Sequence, residues 1–325
     1  MNMLRHKSLV ALLLAFVLVL TACGGDADET TTTVDPESPL GSSTTVVEET
    51  TTTVAEETTT TEAEETTTTE APFDLEAAVA EYAANIPEGW MAVGDITAFK
   101  DAVEASGALV IDVREPGEYA EGFILNAVNM PLRTLGENLD KIPTDRQVFI
   151  YCKSGWRAGM GVSALAMMGY DNVLAFPGGW NAWTAAGEEI STGSNEAEVV
   201  GAPDFQPELV EAASSFLATI PEGWLTAGDS QAVSDALDAG AFALDVRSPG
   251  EFAEGRIPGA VNVPVRELGN TDVEIPTDVN VIHYCKSGWR AALATPIIHL
   301  LYTDADKGFT GSWLAWTEAG FPIES

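Results

Sequence analysis

The sequence predicts an α/β protein of two tandem, like domains, each a small parallel sheet with helices on both faces, following a disordered tether. Three observations carry that expectation. The chain from Phe73 onward is written twice, short apolar runs alternate with helical periodicity inside each copy, and the stretch before Phe73 lacks the side chains a core needs.

In chain order, residues 1–22 read as a targeting segment. Arg5 and Lys7 precede an apolar run from Leu9 to Leu20, too short for a comfortable membrane span and suited to a signal peptide. The run closes on Leu20–Cys23 and two glycines, which resembles a bacterial lipobox, where the cysteine is lipidated and becomes the new N-terminus. Cys23 would then hold the chain on a bacterial membrane by lipid alone, with everything after it outside the cytoplasm. Residues 23–72 continue as the tether, rich in Thr and Glu and without Lys or Arg. Like charges and scarce apolar surface keep such a segment extended, and its threonines suit O-glycosylation.

The two domains are expected at 73–190 and 204–325, joined by a polar linker at 191–203. An offset of 133 runs without a gap from Asp112 against Asp245 to Gly187 against Gly320, and it is 134 before that. In each copy a helix is expected first, over 73–86 and 207–220, stopping at Pro87 and Pro221. Apolar runs at 108–113 and 241–246, and again at 147–152 and 280–285, read as buried strands. Helical patterns follow at 157–170 and 290–302, with Pro296 expected to kink the second. Strands alternating with helices imply a parallel sheet, and ligands of such sheets sit beyond the C-terminal strand ends. There each copy carries the same words, "CKSGWR".

Composition excludes some partners. With 50 acidic residues against 15 basic ones, the formal charge is −35, a field that repels nucleic acid and anionic lipid headgroups. Besides Cys23 there are two cysteines, Cys152 and Cys285, each leading its hexapeptide. A thiol becomes a nucleophile when deprotonated, which helix N-termini, cations and converging amides favour. The loops Lys153, Ser154, Gly155, Trp156, Arg157 and Lys286, Ser287, Gly288, Trp289, Arg290 supply all three. Gly155 and Gly288 permit a curled backbone. His283 and His299 align with Ile150 and Ala166, so a Cys-His dyad could exist in the second copy alone. There is no CxxC and no His cluster, so neither a metal nor another cofactor is expected. Gly159 and Gly161 align with Ala292 and Ala294 and read as packing residues rather than a phosphate loop. An exported location would permit a Cys152–Cys285 disulfide, but two such pockets rarely face each other closely enough.

These residues together resemble the rhodanese family of sulfurtransferases. The resemblance covers both repeats and rests on "DVREPGEYAEGFILNAVNMP" and "DVRSPGEFAEGRIPGAVNVP", the C-x-x-G-x-R loops, and the glycine-aromatic segments ending in Trp183 and Trp316. It implies that Cys152 and Cys285 attack a sulfane sulfur, as of thiosulfate, and pass it as a persulfide to cyanide, a thiol or a redox protein. It also implies that the loop residues cradle the anionic donor, while Asp112 with Arg114, and Asp245 with Arg247, brace the pocket. The chain departs from the family's usual "EGHIPGA" at Phe123 and Arg256, and reads Leu125-Asn126 for Pro-Gly. Four residues separate each cysteine from its arginine, one fewer than in phosphatases and arsenate reductases of the same fold. The remaining alternative is a non-catalytic sulfur-carrier or docking module.

Overall fold

The structure is a computed structural model that describes residues 72–325; the expected signal peptide, Cys23 and the tether up to residue 71 lie outside the described residues. Repeat 1 runs through α1 (Leu75–Ala84), α2 (Ile96–Ser106), β1 (Leu109–Asp112), α3 (Pro116–Ala120), β2 (Phe123–Ile124) and β3 (Val128–Asn129). It continues through a 3-10 stretch (Leu132–Lys141), β4 (Val148–Tyr151), α4 (Trp156–Met168), β5 (Val173–Ala175), α5 (Gly179–Ala185) and β6 (Ile190–Ser191). Repeat 2 has α6 (Pro207–Thr219), α7 (Ser230–Asp238), β7 (Phe242–Asp245), α8 (Pro249–Glu254) and β8 (Val261–Asn262). A 3-10 turn (Val265–Glu267), β9 (Val281–Tyr284), α9 (Trp289–Leu301), β10 (Asp306–Gly308) and α10 (Ser312–Glu318) complete it.

Local chemistry sets the element borders. Asp74, Asp95 and Asp229 cap α1, α2 and α7 by accepting from the amide three residues on, at 3.0, 2.8 and 2.9 Å. Gly107, at φ 60°, closes α2 in the left-handed region. The strands form two parallel sheets of equivalent order, β3-β1-β4-β5 and β8-β7-β9-β10. β1, β4, β7 and β9 are buried on both faces beyond their first residues, hence their unbroken apolar spelling. α9 runs through Pro296 from Trp289 to Leu301 as one helix, with that residue buried among apolar neighbours.

Among the described residues, two of three cores belong to single repeats: Phe99, Phe149, Phe176 and Trp183 in one, Tyr284, Phe309 and Trp316 in the other. The third is common to both. Its centre is the contact of α4 with α9, two helices buried almost all round, which explains why neither shows an apolar stripe. A Cβ on Gly159 would stand 2.5 Å from Cβ of Ala292, so glycine there sets how closely the helices approach. Ser163 Oγ donates to Leu293 O at 2.8 Å across the same seam.

The leading helices cross over. α6, the first helix of repeat 2, packs on α4 and the 3-10 stretch of repeat 1, while α1 packs on α9 and the 3-10 turn of repeat 2. The chain then returns to its own sheet, through Val93 N to Ala175 O at 2.8 Å and Ala227 N to Gly308 O at 2.9 Å. The turns that make this return are Trp90-Met91 (φ 53° and 50°) and Trp224-Leu225 (φ 60° and 53°), left-handed without being glycine.

Candidate active site

Each "CKSGWR" joins a central strand to a buried helix. β4 ends at Tyr151 and α4 begins at Trp156; β9 ends at Tyr284 and α9 begins at Trp289. Cys152 and Cys285 occupy the C-terminal edge of the sheets, each 1% exposed and each a free thiol. The amide of Gly155 donates to Cys152 Sγ at 3.1 Å, and that of Gly288 to Cys285 Sγ at 3.2 Å. Both glycines need their positive φ, 96° and 98°; a Cβ on Gly155 would lie 2.6 Å from Pro177 O. The loop carbonyls are turned outward and held. Trp180 N and Asn181 N at the start of α5 donate to Cys152 O and Lys153 O at 2.9 and 3.0 Å. Trp313 N and Leu314 N in α10 do the same for Cys285 O and Lys286 O, both at 3.0 Å. With these carbonyls turned to α5 and α10, the Gly155 and Gly288 amides are left to the sulfurs.

The arginine closing each loop is clamped. Arg157 donates to Glu118 through both terminal nitrogens at 2.5 and 2.8 Å, and Arg290 to Glu251 at 2.6 and 2.7 Å. The same carboxylates accept from the amides that start α3 and α8, Glu115 N and Ser248 N, at 3.1 Å. Hydrogen bonds from Arg157 hold Glu118 below the usual carboxylate range, and those from Arg290 bring Glu251 to about 2, in each case against burial. Burial opposes the charge on both arginines, but these carboxylates and the nearby sulfurs hold the guanidiniums above their ordinary value.

Asp112 with Arg114, and Asp245 with Arg247, lie behind the loops as buried pairs at 2.6 Å. Tyr151 and Tyr284 share these sites; desolvation, then the neighbouring Asp112 or Asp245, drives both phenols upward. Arg114 also donates to Gly122 O at 2.7 Å and faces the Trp180 ring at 4.4 Å. None of these bonds reaches the loop, so the pairs tie the sheet edge to the segment after α3 or α8. Lys153, Ser154, Lys286 and Ser287 are exposed at the loop tips. Ser154, Gly155 and Trp156 of one loop and Ser287, Gly288 and Trp289 of the other line one cleft of about 420 Å³ between the repeats.

The loop tryptophans leave their own repeat. Trp156 Nε1 donates to Trp224 O at 2.7 Å and its ring meets His283 and Gly308; Trp289 Nε1 donates to Trp90 O at 2.9 Å. In return, the Trp224 ring covers Arg133 and Arg157 at 4.0 and 4.8 Å. Trp90 covers Arg266 and Arg290 at 4.4 and 5.6 Å. Each candidate site is therefore finished by the other repeat. Neither histidine bonds a cysteine: His283 Nε2 pairs with Thr295 Oγ1 and His299 Nδ1 with Asp306 Oδ1, at 3.1 and 3.0 Å. Among the described residues no group of His, Cys, Asp and Glu is arranged to hold a metal.

Residues that the sequence reading did not single out are Glu118, Glu251, Trp90, Trp224 and Ser312. The first four stand in "PGEYAEG", "PGEFAEG" and the two "IPEGW" copies, so their repetition was a usable signal. Ser312 was not recoverable that way, because repeat 1 has Gly179 at its place. Its hydroxyl accepts from Cys285 N at 3.1 Å and lies 3.9 Å from Cys285 Sγ, on a backbone of φ 52°. Phe123 is buried against Tyr119, and Arg256 pairs with Glu324 at 3.4 Å.

Residues 95–186 and 229–319 each match the rhodanese-like domain family. The chain belongs to that family. Among curated relatives, a sulfurtransferase of Allochromatium vinosum is 37% identical over 87 residues, covering 27% of this chain and 81% of that protein. A chloroplastic thiosulfate sulfurtransferase of Arabidopsis thaliana is 34% identical over 104 residues, covering 28% of this chain and 86% of that one. Each match thus spans about one rhodanese repeat, and together they place the tandem pair among the rhodanese-type sulfurtransferases. A solved 3-mercaptopyruvate sulfotransferase of Escherichia coli aligns over 69% of this chain and 98% of its own, at 20% identity and a TM-score of 0.35.

Proposed function

We propose that the chain moves sulfane sulfur from a donor such as thiosulfate to a thiophilic acceptor, with Cys152 and Cys285 each carrying it as a persulfide. The observation that supports this best is the duplicated cradle, in which the Gly155 and Gly288 amides donate to the two sulfurs while Arg157 and Arg290 close the loops. Donors of this kind stabilise negative charge on sulfur, and four intervening residues leave a compact ring suited to one added sulfur atom. In the first half-reaction the cysteine thiolate attacks the outer sulfur of thiosulfate; a new S–S bond forms and sulfite leaves with the old bond's electron pair. In the second, cyanide or a thiolate attacks that outer sulfur, and the cysteine departs as thiolate. Lys153 and Lys286, exposed at the loop tips, meet the anionic donor.

The test is the intact mass of the chain after incubation with thiosulfate. Gain of up to two sulfur atoms, reversed by cyanide, is expected, with one lost in Cys152→Ser or Cys285→Ser and none gained in the double variant. A double variant that still turns over thiosulfate and cyanide at the full rate sinks the assignment, and a chain that gains no sulfur is a docking module. Lipidation at Cys23 and an extracytoplasmic location are part of the same proposal. Cys23→Ser should release the protein from the membrane fraction.

A further inference from the structure

The two repeats differ where one would least expect it, beside the clamped arginine. In repeat 1, Arg133 donates through each of its three guanidinium nitrogens. Its Nε donates to Ile220 O at 2.7 Å, its Nη2 to Pro221 O at 2.9 Å, and its Nη1 to Glu115 Oε1 at 2.9 Å. The matching Arg266 of repeat 2 keeps the first of these, Nε to Ile86 O at 2.6 Å. Its carboxylate partner is gone, because Ser248 stands where repeat 1 has Glu115. Among the described residues Arg266 makes no ion pair; its Nη2, whose counterpart in repeat 1 donates to Pro221 O, is also buried with no acceptor, a costly state for a charged donor.

The missing carboxylate leaves a cleft of about 210 Å³ lined by Ser248, Arg266 and Arg290, with Trp90 and Pro249 among its apolar walls. Arg290 is committed to Glu251, and the exposed Glu267 also lines the cleft without pairing with Arg266, so the cleft offers one guanidinium without an ion-pair partner. The apolar walls would gain nothing from a bare inorganic anion but would cover a short carbon chain.

We propose that this cleft binds the carboxylate of a small organic thiol that takes sulfur from Cys285, and that repeat 1 lacks the subsite because Glu115 fills it. The acceptor carboxylate takes the place of the Glu115 carboxylate, against Arg266 Nη1. Its thiolate attacks the outer sulfur of the Cys285 persulfide; the S–S bond to Cys285 breaks, its electron pair stays on Cys285, and the acceptor leaves as a persulfide. The subsite rests on the proposed function only for that transfer; carboxylate binding does not depend on it.

Calorimetric titration of the purified chain with butyrate, and with its neutral isostere butyramide, tests binding. One butyrate per chain is expected, at least about tenfold tighter than butyramide. Ser248→Glu should abolish it, and folding is protected because glutamate occupies the same helix start in repeat 1. Glu115→Ser should raise the count to two. Equal binding of butyrate and butyramide, unchanged affinity in Ser248→Glu, or a single site in Glu115→Ser overturns the subsite. Transfer is read in Cys152→Ser loaded with sulfur, comparing 3-mercaptopropionate with 3-mercaptopropanol. The acid should react faster, and Ser248→Glu should remove its advantage; equal rates overturn the acceptor role. Butyrate binding without any sulfur loading would instead fault the proposed function and leave the subsite standing.

Discussion

At Glu251 a single carboxylate accepts from the amide of Ser248, the residue that caps α8, and from both terminal nitrogens of Arg290. The helix start and the loop end are thereby fixed by one group, and its protonation releases both. Its folded-state value, about 2, lies below the ordinary 4.5. The stabilisation from this pair is therefore complete above about pH 4.5 and is lost as the pH falls toward about 2. Urea unfolding should show stability declining through that window, with a shallower decline in Glu251→Gln. At neutral pH the same variant should cost about 1–2 kcal/mol, since the pair is only partly buried. An unchanged acid profile in Glu251→Gln would assign the decline to other carboxylates.

In the loop elements, backbone direction matters more than side-chain identity. Gly155 holds φ 96° with Pro177 O lying 2.6 Å from where a Cβ would be, so Gly155→Ala must shift the loop. We expect a loss of about 1–3 kcal/mol in stability and loss of sulfur loading at Cys152 with Cys285 still loaded; equal loading of both sites would show the loop tolerates the shift. The strands and helices around these loops were legible in the sequence because buried parallel strands spell continuous apolar runs and the copies align without a gap from Asp112 to Gly187. The cysteines, glycines and loop arginines were legible for the same reason. What was not legible is tertiary. Glu118 looks like one acidic residue among many until folding brings it to Arg157, and the "IPEGW" tryptophans belong by sequence to the repeat they do not serve. The cleft shared by the loops follows from the close approach of α4 and α9 at Gly159, a contact between residues 133 positions apart.

For the whole molecule, reciprocity yields a crossed prediction. Trp90 covers Arg290 of repeat 2, and Trp224 covers Arg157 of repeat 1. Trp90→Ala should therefore slow sulfur transfer at Cys285 and spare Cys152, and Trp224→Ala the reverse, each by about two- to thirtyfold, the range of a cation–π contact. Single-cysteine backgrounds separate the two rates, and phenylalanine at either position should restore most of the loss. Equal damage to both cysteines would point to a general loosening of the seam instead.

Because each repeat receives its covering tryptophan and one packing helix from the other, half of the chain is an unfinished object. Two copies of one repeat, related by a twofold axis, would close in the same manner, each giving its first helix to its neighbour. The tandem chain has the form of such a homodimer fused end to end. In a homodimer every substitution appears in both sites at once. Fusion lifts that constraint, so one site can acquire Ser248 and Ser312 while its twin keeps Glu115 and Gly179. A fragment of residues 72–203 should accordingly travel as a dimer in size-exclusion chromatography, and a stable monomer would show that the exchange is dispensable.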